Sequence, residues 1–360
     1  MKIALVTDYL NEYGGAEKTF ESFCELFPDA PVYTLLYDSS KMTPIINKMK
    51  IITSDLNKKR FFKNRERQVL KFTREIEQFD FSGFDVVLTS GSFSKGILTK
   101  PETKNIFYCH RMMRSLWDRH GEYAQSKGAF TKMALPYVTY NLRIWDFLAA
   151  DRVDYFIANS DYTRKRIKKY YRRDSEIIYP PVDVKKFTPT KDKEDYYLFV
   201  SRLGPFDGAE LVVDAFNKLG EKLVIIGDGP LKQKLQSQAK SNIDFLGFKP
   251  QDVLKEYYSF AKSFISVGEE SFGLTEVEAM ASGTPVCAYK SGGAMETIIP
   301  GVTGEFFNEL SVDALLSAIK ELNENYQKFD ASKIAQHVQR FDKEEFKKKI
   351  KKFIESKTTK

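Results

Sequence analysis

The residues from 268 to 278 have the types and spacing of a site for a phosphate-bearing ligand. The pattern predicts a short buried strand over 262–267 and a helix over 274–282, so the loop between them leads into a helix N-terminus. The N–H groups at such an end have no partner within the helix, and the helix dipole adds to their attraction for anions, phosphate above all. The backbone groups concerned belong to Phe272, Gly273, Leu274 and Thr275.

Two carboxylates frame this predicted anion site. Glu270 lies in the loop, and Glu278 lies one turn inside the helix. Carboxylates are useful beside a phosphate when they accept hydrogen bonds from hydroxyl groups, and a nucleotide sugar carries hydroxyls on its ribose and on its sugar. The pair therefore favours a nucleotide-sugar site. A strand–helix–strand unit with two solvated acids is the alternative on this local pattern alone.

The run E-S-F-G-L-T-E-V-E-A-M-A-S-G-T-P-V, which contains Glu270 and Glu278, resembles the signature of the retaining, nucleotide-sugar-dependent glycosyltransferases of family four, also called glycosyl transferases group 1. The later G-G-x-x-E-x-I run agrees with it. The resemblance covers nearly the whole chain. It looks closest to the mannosyltransferase-like branch that builds bacterial surface polysaccharides, whose usual donor is GDP-mannose. It implies the α/β architecture called GT-B, in which two Rossmann-like domains with parallel sheets face each other across a cleft.

The domain organisation follows from the resemblance and from Pro180-Pro181, which can continue neither a helix nor a strand ladder. Residues 1–178 are predicted to form the acceptor-side domain and residues 179–341 the nucleotide-sugar-binding domain. The C-terminal helix, 342–356, is predicted to pack back on the first domain. A chain of 360 residues is long enough for two such domains.

The resemblance also implies roles for individual residues. Glu278 would bind the ribose hydroxyls, Glu270 the hydroxyls of the transferred sugar, and His110 would lie beside the reacting sugar carbon. The predicted catalytic residues are His110, Glu270 and Arg202. The predicted donor-binding residues are Gly14, Gly15, Arg202, Asp207, Gly227, Phe272, Gly273, Leu274, Thr275 and Glu278. Neither a metal nor a cofactor is expected, and the donor is a GDP- or UDP-linked sugar.

Asp207 departs from the family pattern. The family places a lysine five residues after the arginine, where both cations clamp the donor diphosphate, and this chain has Asp207 there. Three interpretations stay open. Catalysis is weakened or lost, which would make the chain a silent GT-B partner or binding subunit; Arg111, beside His110, supplies the missing charge; or Asp207 holds a divalent ion. A nucleotide-sugar epimerase of similar fold fits less well, because no acid–base constellation is evident.

Charge and composition restrict the partners. The net charge of +7 favours anionic partners, and nucleic acid is disfavoured because no zinc spacing or RNA-binding consensus occurs. Residues 55–79 predict one helix, and its part 55–74, rich in basic and aromatic residues, predicts a surface that lies on an anionic membrane with its aromatic side chains inserted. A core-facing helix with a solvated basic back is the alternative. The family resemblance implies a glycan or a lipid-linked molecule as the acceptor.

The cellular location is predicted from the first residues of the sequence, the length of its apolar runs and the placement of its cysteines. Met1-Lys2 leads directly into a strand, and no apolar run approaches the roughly 18 residues of a spanning helix. Cys24, Cys109 and Cys287 lie far apart in apolar contexts, which predicts buried thiols of a reducing compartment. We therefore expect a cytoplasmic protein that is at most peripheral on the inner face of the plasma membrane.

Overall fold

A computed structural model describes residues 1–62, 68–125 and 129–358. The chain divides into two compact units. Unit 1 comprises Met1–Pro181 with Phe346–Lys360, and unit 2 comprises Val182–Glu345. The division falls just after Pro181, a few residues beyond the predicted 178/179, and most of the C-terminal helix belongs to unit 1.

Unit 1 is built on a seven-stranded parallel sheet with the order β3-β2-β1-β4-β5-β6-β7. Its strands are β1 Ile3–Leu10, β2 Val32–Tyr37, β3 Ile51–Thr53, β4 Val86–Ser90, β5 Lys104–Cys109, β6 Tyr155–Ala158 and β7 Ser175–Ile177. The order turns back between β1 and β4, and the carboxyl ends of strands beside such a reversal are where open α/β sheets bind ligands.

Unit 2 repeats this plan with a six-stranded parallel sheet of order β10-β9-β8-β11-β12-β13. Its strands are β8 Tyr197–Val200, β9 Leu223–Ile226, β10 Ile243–Gly247, β11 Ser263–Ser266, β12 Val286–Tyr289 and β13 Gly304–Phe307. The reversal lies between β8 and β11, which are the strands that precede Arg202 and Glu270. The prediction of two Rossmann-like α/β domains is confirmed.

The helices follow the strands in alternation, as parallel pairing requires. They are α1 Gly15–Leu26, α2 Pro44–Asn47, α3 Lys59–Phe62, α4 Val69–Glu75, α5 His120–Gln125, α6 Ala129–Asp151, α7 Asp161–Arg166, α8 Ala209–Leu219, α9 Lys232–Gln238, α10 Gln251–Phe260, α11 Leu274–Ala281, α12 Ala294–Thr297, α13 Val312–Glu324, α14 Ala331–His337 and α15 Lys343–Thr358. Within the described ranges, no helix combines the length and the hydropathy needed to span a bilayer.

Each sheet is buried on both faces, so nearly every residue of its central strands is buried and most are apolar. In unit 1, α15 completes the core by packing Phe346 and Ile350 against Phe23 and Tyr108. In unit 2 the core gathers around Tyr197, Phe216 and Ile265. The three cysteines are free and buried, as predicted.

The prediction of one helix over 55–79 is wrong in its bounds. Residues 55–58 are not helical, α3 begins at Lys59, and α4 ends at Glu75. Lys63, Arg65 and Arg67 lie outside the described residues. Phe61 and Phe72 are buried in the core with Val6 and Phe93, because they extend the apolar face of the sheet. These two aromatic side chains are therefore not available to a membrane, as the alternative interpretation of the segment held.

Candidate functional site

The loop 267–273 joins β11 to α11 at the carboxyl edge of the sheet in unit 2. Gly273 ends the loop with φ of 92°, a left-handed conformation that favours glycine, and a Cβ there would lie 2.6 Å from Oε2 of Glu276. The G-G-x-x-E-x-I run, which contains Gly293, supports the loop. The N–H of Gly293 donates to the carbonyl of Glu270 over 2.9 Å. The predicted anion-binding residues therefore lie in one turn. Phe272 and Gly273 end the loop, and Leu274 and Thr275 begin α11.

Glu276 anchors this turn from below, a role that the sequence did not suggest. Its side chain is 1% exposed, and its carboxylate accepts hydrogen bonds from the hydroxyl of Ser266 over 2.6 Å and from that of Thr275 over 3.0 Å. Burial raises the pKa of Glu276, and the hydrogen bond from Ser266 partly opposes this. A Thr-Glu pair in a first helical turn looks like an ordinary N-terminal acid, so no signal distinguished this residue in advance.

Glu278 lies further along α11 and is 5% exposed. Its carboxylate interacts with the buried hydroxyl of Tyr258 on α10. Burial, together with this carboxylate, raises the pKa of Tyr258 well above its ordinary value. The side chain of Glu278 therefore lies where water is largely excluded, which is where a hydrogen bond from a ligand hydroxyl would be strongest.

A buried hydroxyl group beside these glutamates lies next to the helix N-terminus. The hydroxyl of Ser271 is buried and has no hydrogen-bond partner within the part of the chain that the structure describes. Buried polar atoms of native proteins nearly always have partners, so a hydroxyl of this kind is available to a ligand. Phe272, 3% exposed, packs its ring on Phe341 with centroids 5.1 Å apart and fixes the loop that carries Ser271.

Arg202 follows β8 and is exposed to solvent. Its loop is held against the next strand by Gly227, which has φ of 140° and whose added Cβ would lie 1.7 Å from the carbonyl oxygen of Ser201. Gly227 thus permits close packing beneath Arg202. Whether it also binds the donor stays a prediction.

The carboxylate of Asp207 closes a turn within the same loop. Its Oδ2 accepts from the N–H of Gly204 over 2.9 Å, and the N–H of Asp207 donates back to the carbonyl of Gly204 over 3.2 Å. The side chain is partly buried. Asp207 therefore has a structural role in the loop after Arg202, which offers a reason for an aspartate at this position that needs no ligand.

Gly14 and Gly15 begin α1 in unit 1. The N–H of Gly14 donates to Oε2 of Glu17 over 2.9 Å, so it is already engaged by a carboxylate in this structure. A diphosphate that approached Gly14 would have to displace that contact. The assignment of the two glycines to the donor diphosphate stays a prediction.

His110 follows β5 directly, and its Nε2 lies 2.7 Å from the hydroxyl of Ser90 at the end of β4. The ring also contacts Tyr108 edge-on, with centroids 5.0 Å apart. Burial lowers the pKa of His110 to about 4. The imidazole is therefore neutral near pH 7, which suits it to hydrogen-bond a sugar hydroxyl and not to supply a positive charge. Arg111, the next residue, is exposed.

We expect His110 to titrate near pH 4 in the folded protein, well below its ordinary value of 6.5. Between these values the unfolded chain takes up a proton that the folded chain does not. The contribution of His110 to stability is therefore complete above about pH 6.5 and is lost as the pH falls toward about 4. An NMR titration checks this, with the His110→Gln variant identifying the resonance. A midpoint near 6.5 would contradict the assignment.

A network of buried polar side chains fixes the turn next to Ser90. Asp8, at the end of β1, accepts hydrogen bonds from the N–H groups of Ser92, Phe93 and Ser94 over 2.5 to 2.9 Å. Lys95, in the same turn, pairs with Asp146 of α6 over 2.6 Å, and both side chains are at most 1% exposed. Asp8, Lys95 and Asp146 lie far apart in the sequence, so the sequence did not predict this network.

Among the described residues, no group of three or more His, Cys, Asp or Glu side chains is arranged to hold a metal ion. The expectation that the reaction needs no metal stays a prediction.

Two family models match the chain. The Glycosyltransferase Family 4 model matches residues 13–186, and the Glycosyl transferases group 1 model matches residues 183–337. The first match lies mainly in unit 1 and the second in unit 2. Together they cover residues 13–337, which include every strand of the two sheets except β1.

Curated relatives are similar over part of their length. The GDP-mannose-dependent alpha-(1-6)-phosphatidylinositol monomannoside mannosyltransferase of Mycolicibacterium smegmatis is 30% identical over 195 residues, which cover 45% of this chain and 51% of that protein. The D-inositol 3-phosphate glycosyltransferase of Mycobacterium marinum is 29% identical over 198 residues, or 48% and 42%. The matches thus span about half the length of these relatives.

Solved structures share the fold over almost the entire chain. The Anabaena protein HepE in complex with UDP and glucose has a TM-score of 0.72 at 20% identity, and 99% of this chain and 100% of that chain are covered. Sucrose-phosphate synthase of Thermosynechococcus elongatus has a TM-score of 0.77 at 17% identity, with 99% of each chain covered. At these identities the likeness shows the fold.

Proposed function

We propose that this chain, which belongs to the glycosyltransferases that join a family 4 domain to a group 1 domain, transfers a hexose from a nucleoside diphosphate sugar to a glycan or lipid-linked acceptor. Mannose from GDP-mannose is our first choice of donor, because curated relatives carry that specificity in their names. A UDP-linked sugar is the second choice, since the HepE structures hold UDP or UDP-glucose.

The proposed reaction retains the configuration at the anomeric carbon. The bond between that carbon and the diphosphate oxygen breaks, and the acceptor oxygen bonds to the same face. The acceptor proton passes to the leaving diphosphate, so no protein nucleophile and no cofactor take part. Arg202 and the N–H groups from Phe272 to Thr275 would stabilise the charge that grows on the diphosphate.

The observation that carries this proposal is the arrangement around α11. A glycine turn, an unpartnered buried hydroxyl and two glutamates come together at the N-terminus of one helix. In the proposed complex Ser271 donates to a phosphate oxygen, Glu270 accepts from the sugar and Glu278 from the ribose. His110, neutral near pH 7, would accept from or donate to a hydroxyl of the transferred sugar without changing its charge.

The test is incubation with a panel of nucleotide sugars, with release of nucleoside diphosphate as the readout. We expect release from one donor, faster with an acceptor extract than without it. The anomeric configuration of the product, read by NMR, decides retention. If no donor is bound or turned over, the enzymatic proposal fails.

A second candidate, a silent or weakened relative that serves as a partner or binding subunit, is favoured by Asp207. Its carboxylate stands where the family pattern has a cation, and it is engaged with the N–H of Gly204. A carboxylate and a phosphate at 4 Å repel by about 1 kcal/mol even in bulk water, and a lysine would attract by a similar amount. This candidate predicts binding of a nucleotide without transfer.

We expect Asp207→Lys to strengthen binding of the nucleoside diphosphate by about tenfold or more, if the restored cation contributes about 1.4 kcal/mol. The variant also loses the hydrogen bond to Gly204, which should lower the free energy of unfolding by about 0.5–1.5 kcal/mol. Calorimetric titration and thermal unfolding measure the two effects separately.

Asp207→Asn is the matched control, since the amide oxygen still accepts from Gly204 while the charge is removed. Its affinity should lie between those of the natural protein and Asp207→Lys. Loss of activity in Arg111→Ala would instead support compensation by Arg111. A magnesium or manganese requirement that Asp207→Lys removes would support ion binding. Unchanged affinity in both Asp207 variants would show that the side chain faces away from the phosphates.

We also propose a cytoplasmic location at the inner face of the plasma membrane. The support comes from the phosphatidylinositol-linked acceptor in the names of curated relatives and from the basic residues in 55–74. Separating membranes from the soluble fraction of producing cells, at low and at high salt, tests this directly. Recovery in the soluble fraction under both conditions would contradict it.

A further inference from the structure

The helix α6 of unit 1 carries an apolar face that the fold leaves uncovered. Tyr137 is 72% exposed, Tyr140 62% and Ile144 44%. Among the side chains of α6 that the structure describes, the large exposed apolar ones are Met133, Tyr137, Tyr140, Ile144, Phe147 and Leu148. We call this set the α6 stripe. Its members recur every three or four residues, which places them on one side of the helix over a length of about 22 Å.

The opposite side of α6 is buried in unit 1. Leu135, Leu142, Asp146 and Ala149 are each at most 8% exposed, and they repeat at the same helical spacing. The helix is therefore apolar on two sides, although only one of them is packed. A soluble helix normally turns charged residues outward, and an outward apolar stripe marks an interaction surface.

Charge identifies the kind of partner. Unit 1 contains 37 Lys and Arg against 23 Asp and Glu, a net charge of +14, whereas unit 2 has 19 against 26, a net charge of −7. The α6 stripe thus belongs to the basic unit. A second copy packed through this stripe would bring two +14 units together, while an anionic surface would be attracted by the same charge.

A helix that packs on α6 exposes basic side chains. The helix α4 contacts α6, and it exposes Lys71 and Arg74 together with Leu70, which is 42% exposed. Two of the six members of the stripe are tyrosines, whose rings suit the boundary between lipid chains and headgroups. Apolar and aromatic residues beside cations are the composition of surfaces that lie in an anionic membrane interface.

We propose that the α6 stripe, together with the exposed Lys71 and Arg74 of the neighbouring helix α4, is the surface through which this protein lies on an anionic lipid bilayer. The proposal moves the apolar contact from 55–74, where Phe61 and Phe72 are buried, to α6, and it keeps the charges of α4. It holds for any donor and also for a silent relative, so it does not depend on the proposed transfer reaction.

The test is flotation of the purified chain with vesicles of phosphatidylglycerol in phosphatidylcholine, and with phosphatidylcholine alone. We expect binding to the anionic vesicles that weakens with salt. The triple variant Tyr137→Gln, Ile144→Gln, Phe147→Gln should bind at least about tenfold more weakly, because three apolar side chains no longer enter the lipid. Lys71→Gln with Arg74→Gln should lose about fivefold per charge removed.

A matched control removes exposed apolar residues elsewhere. Phe248 is 77% exposed and Leu310 55% exposed, both in unit 2, and changing both to Gln should leave vesicle binding unchanged. Urea unfolding followed by the fluorescence of Trp117 and Trp145 shows whether the unit 1 variants are folded. Nucleotide affinity, which we assign to unit 2, does the same for the control variant. The proposal is overturned if the natural protein does not bind anionic vesicles, or if the triple variant binds them as tightly as the natural protein does. A dimer in solution that the triple variant abolishes, without vesicle binding, would also overturn it and identify a second copy as the partner.

Discussion

Replacing Asp146 by alanine is expected to destabilise unit 1 by about 3–5 kcal/mol, because it leaves the ammonium group of Lys95 buried without its counter-charge. Both side chains are at most 1% exposed and lie 2.6 Å apart. Asp146 also accepts from the indole N–H of Trp117 and the hydroxyl of Tyr171, each over 2.8 Å. The substitution therefore strands three buried donors at once, and such groups are costly when they lose their partners.

The measurement is urea unfolding followed by tryptophan fluorescence. Both tryptophans of the chain, Trp117 and Trp145, belong to unit 1, so their emission reports the unfolding of this unit alone. We expect the midpoint for Asp146→Ala to fall sharply while the slope is unchanged.

Two controls separate the buried charge from a loss of packing. The double variant Lys95→Met, Asp146→Leu removes both charges and should recover much of the lost stability, since paired removal of a buried ion pair is often tolerated. Asp174→Ala removes an ion pair of similar length, 2.7 Å to Lys168, from the exposed surface of unit 1. It should leave the unfolding midpoint almost unchanged, because exposed ion pairs contribute little to stability. A small effect of Asp146→Ala would show that water reaches Lys95.

The sequence was most informative where local pattern and function coincide. The predicted strand 262–267, helix 274–282 and following strand correspond to β11, α11 and β12 within a few residues at each end. Glycine, proline and apolar runs mark these limits by local sterics alone, so no distant contact is needed to place them. The parallel sheets, by contrast, were expected from the family resemblance, and both are observed.

Features that depend on contacts between residues far apart in the sequence were not predicted. Lys95 and Asp146 are ordinary charged residues until the fold brings them together, and Asp8 acquires its three N–H donors only when the turn after β4 closes over it. The three-residue strands β3 and β7 were missed as well, because an edge strand that short has too few residues to show a period.

The segment 55–74 shows a related limit. Its aromatic and basic residues are compatible with a membrane helix and with a core-facing helix, and burial of Phe61 and Phe72 decides for the second. The helix α6 presents a different ambiguity, because both of its sides are apolar. Only the burial of Leu135 and Leu142 shows which side faces the core and which faces solvent. Composition alone cannot assign a side to such a helix.

Replacing Glu278 by alanine is expected to weaken binding of the nucleoside diphosphate by about ten- to hundredfold, if its carboxylate accepts the ribose hydroxyls. Hydrogen bonds to a charged group contribute about 1.5–3 kcal/mol, and the 5% exposure of Glu278 places these bonds where water competes least. Calorimetric titration with GDP and with UDP measures the loss. The sugar should matter little to this step, because the proposed partner of Glu278 is the ribose.

The contact between Glu278 and Tyr258 requires a control, because a carboxylate that only served the tyrosine would also be buried. Tyr258→Phe removes that hydroxyl and leaves the carboxylate in place, so it should keep most of the nucleotide affinity. Glu324→Ala removes an exposed glutamate of the same unit and should change nothing. Thermal unfolding of each variant shows whether unit 2 is intact.

The pattern across these variants decides the role of Glu278. A ribose acceptor predicts a loss of affinity in Glu278→Ala that persists in the double variant with Tyr258→Phe, where no stranded hydroxyl remains to disturb the helix. A purely structural carboxylate predicts that the double variant recovers both stability and nucleotide binding. Glu278→Gln, which keeps an acceptor oxygen and the size of the side chain but not the charge, should fall between the natural protein and alanine. Full affinity in Glu278→Ala would remove the ribose assignment and leave Glu270 as the remaining candidate among the two glutamates.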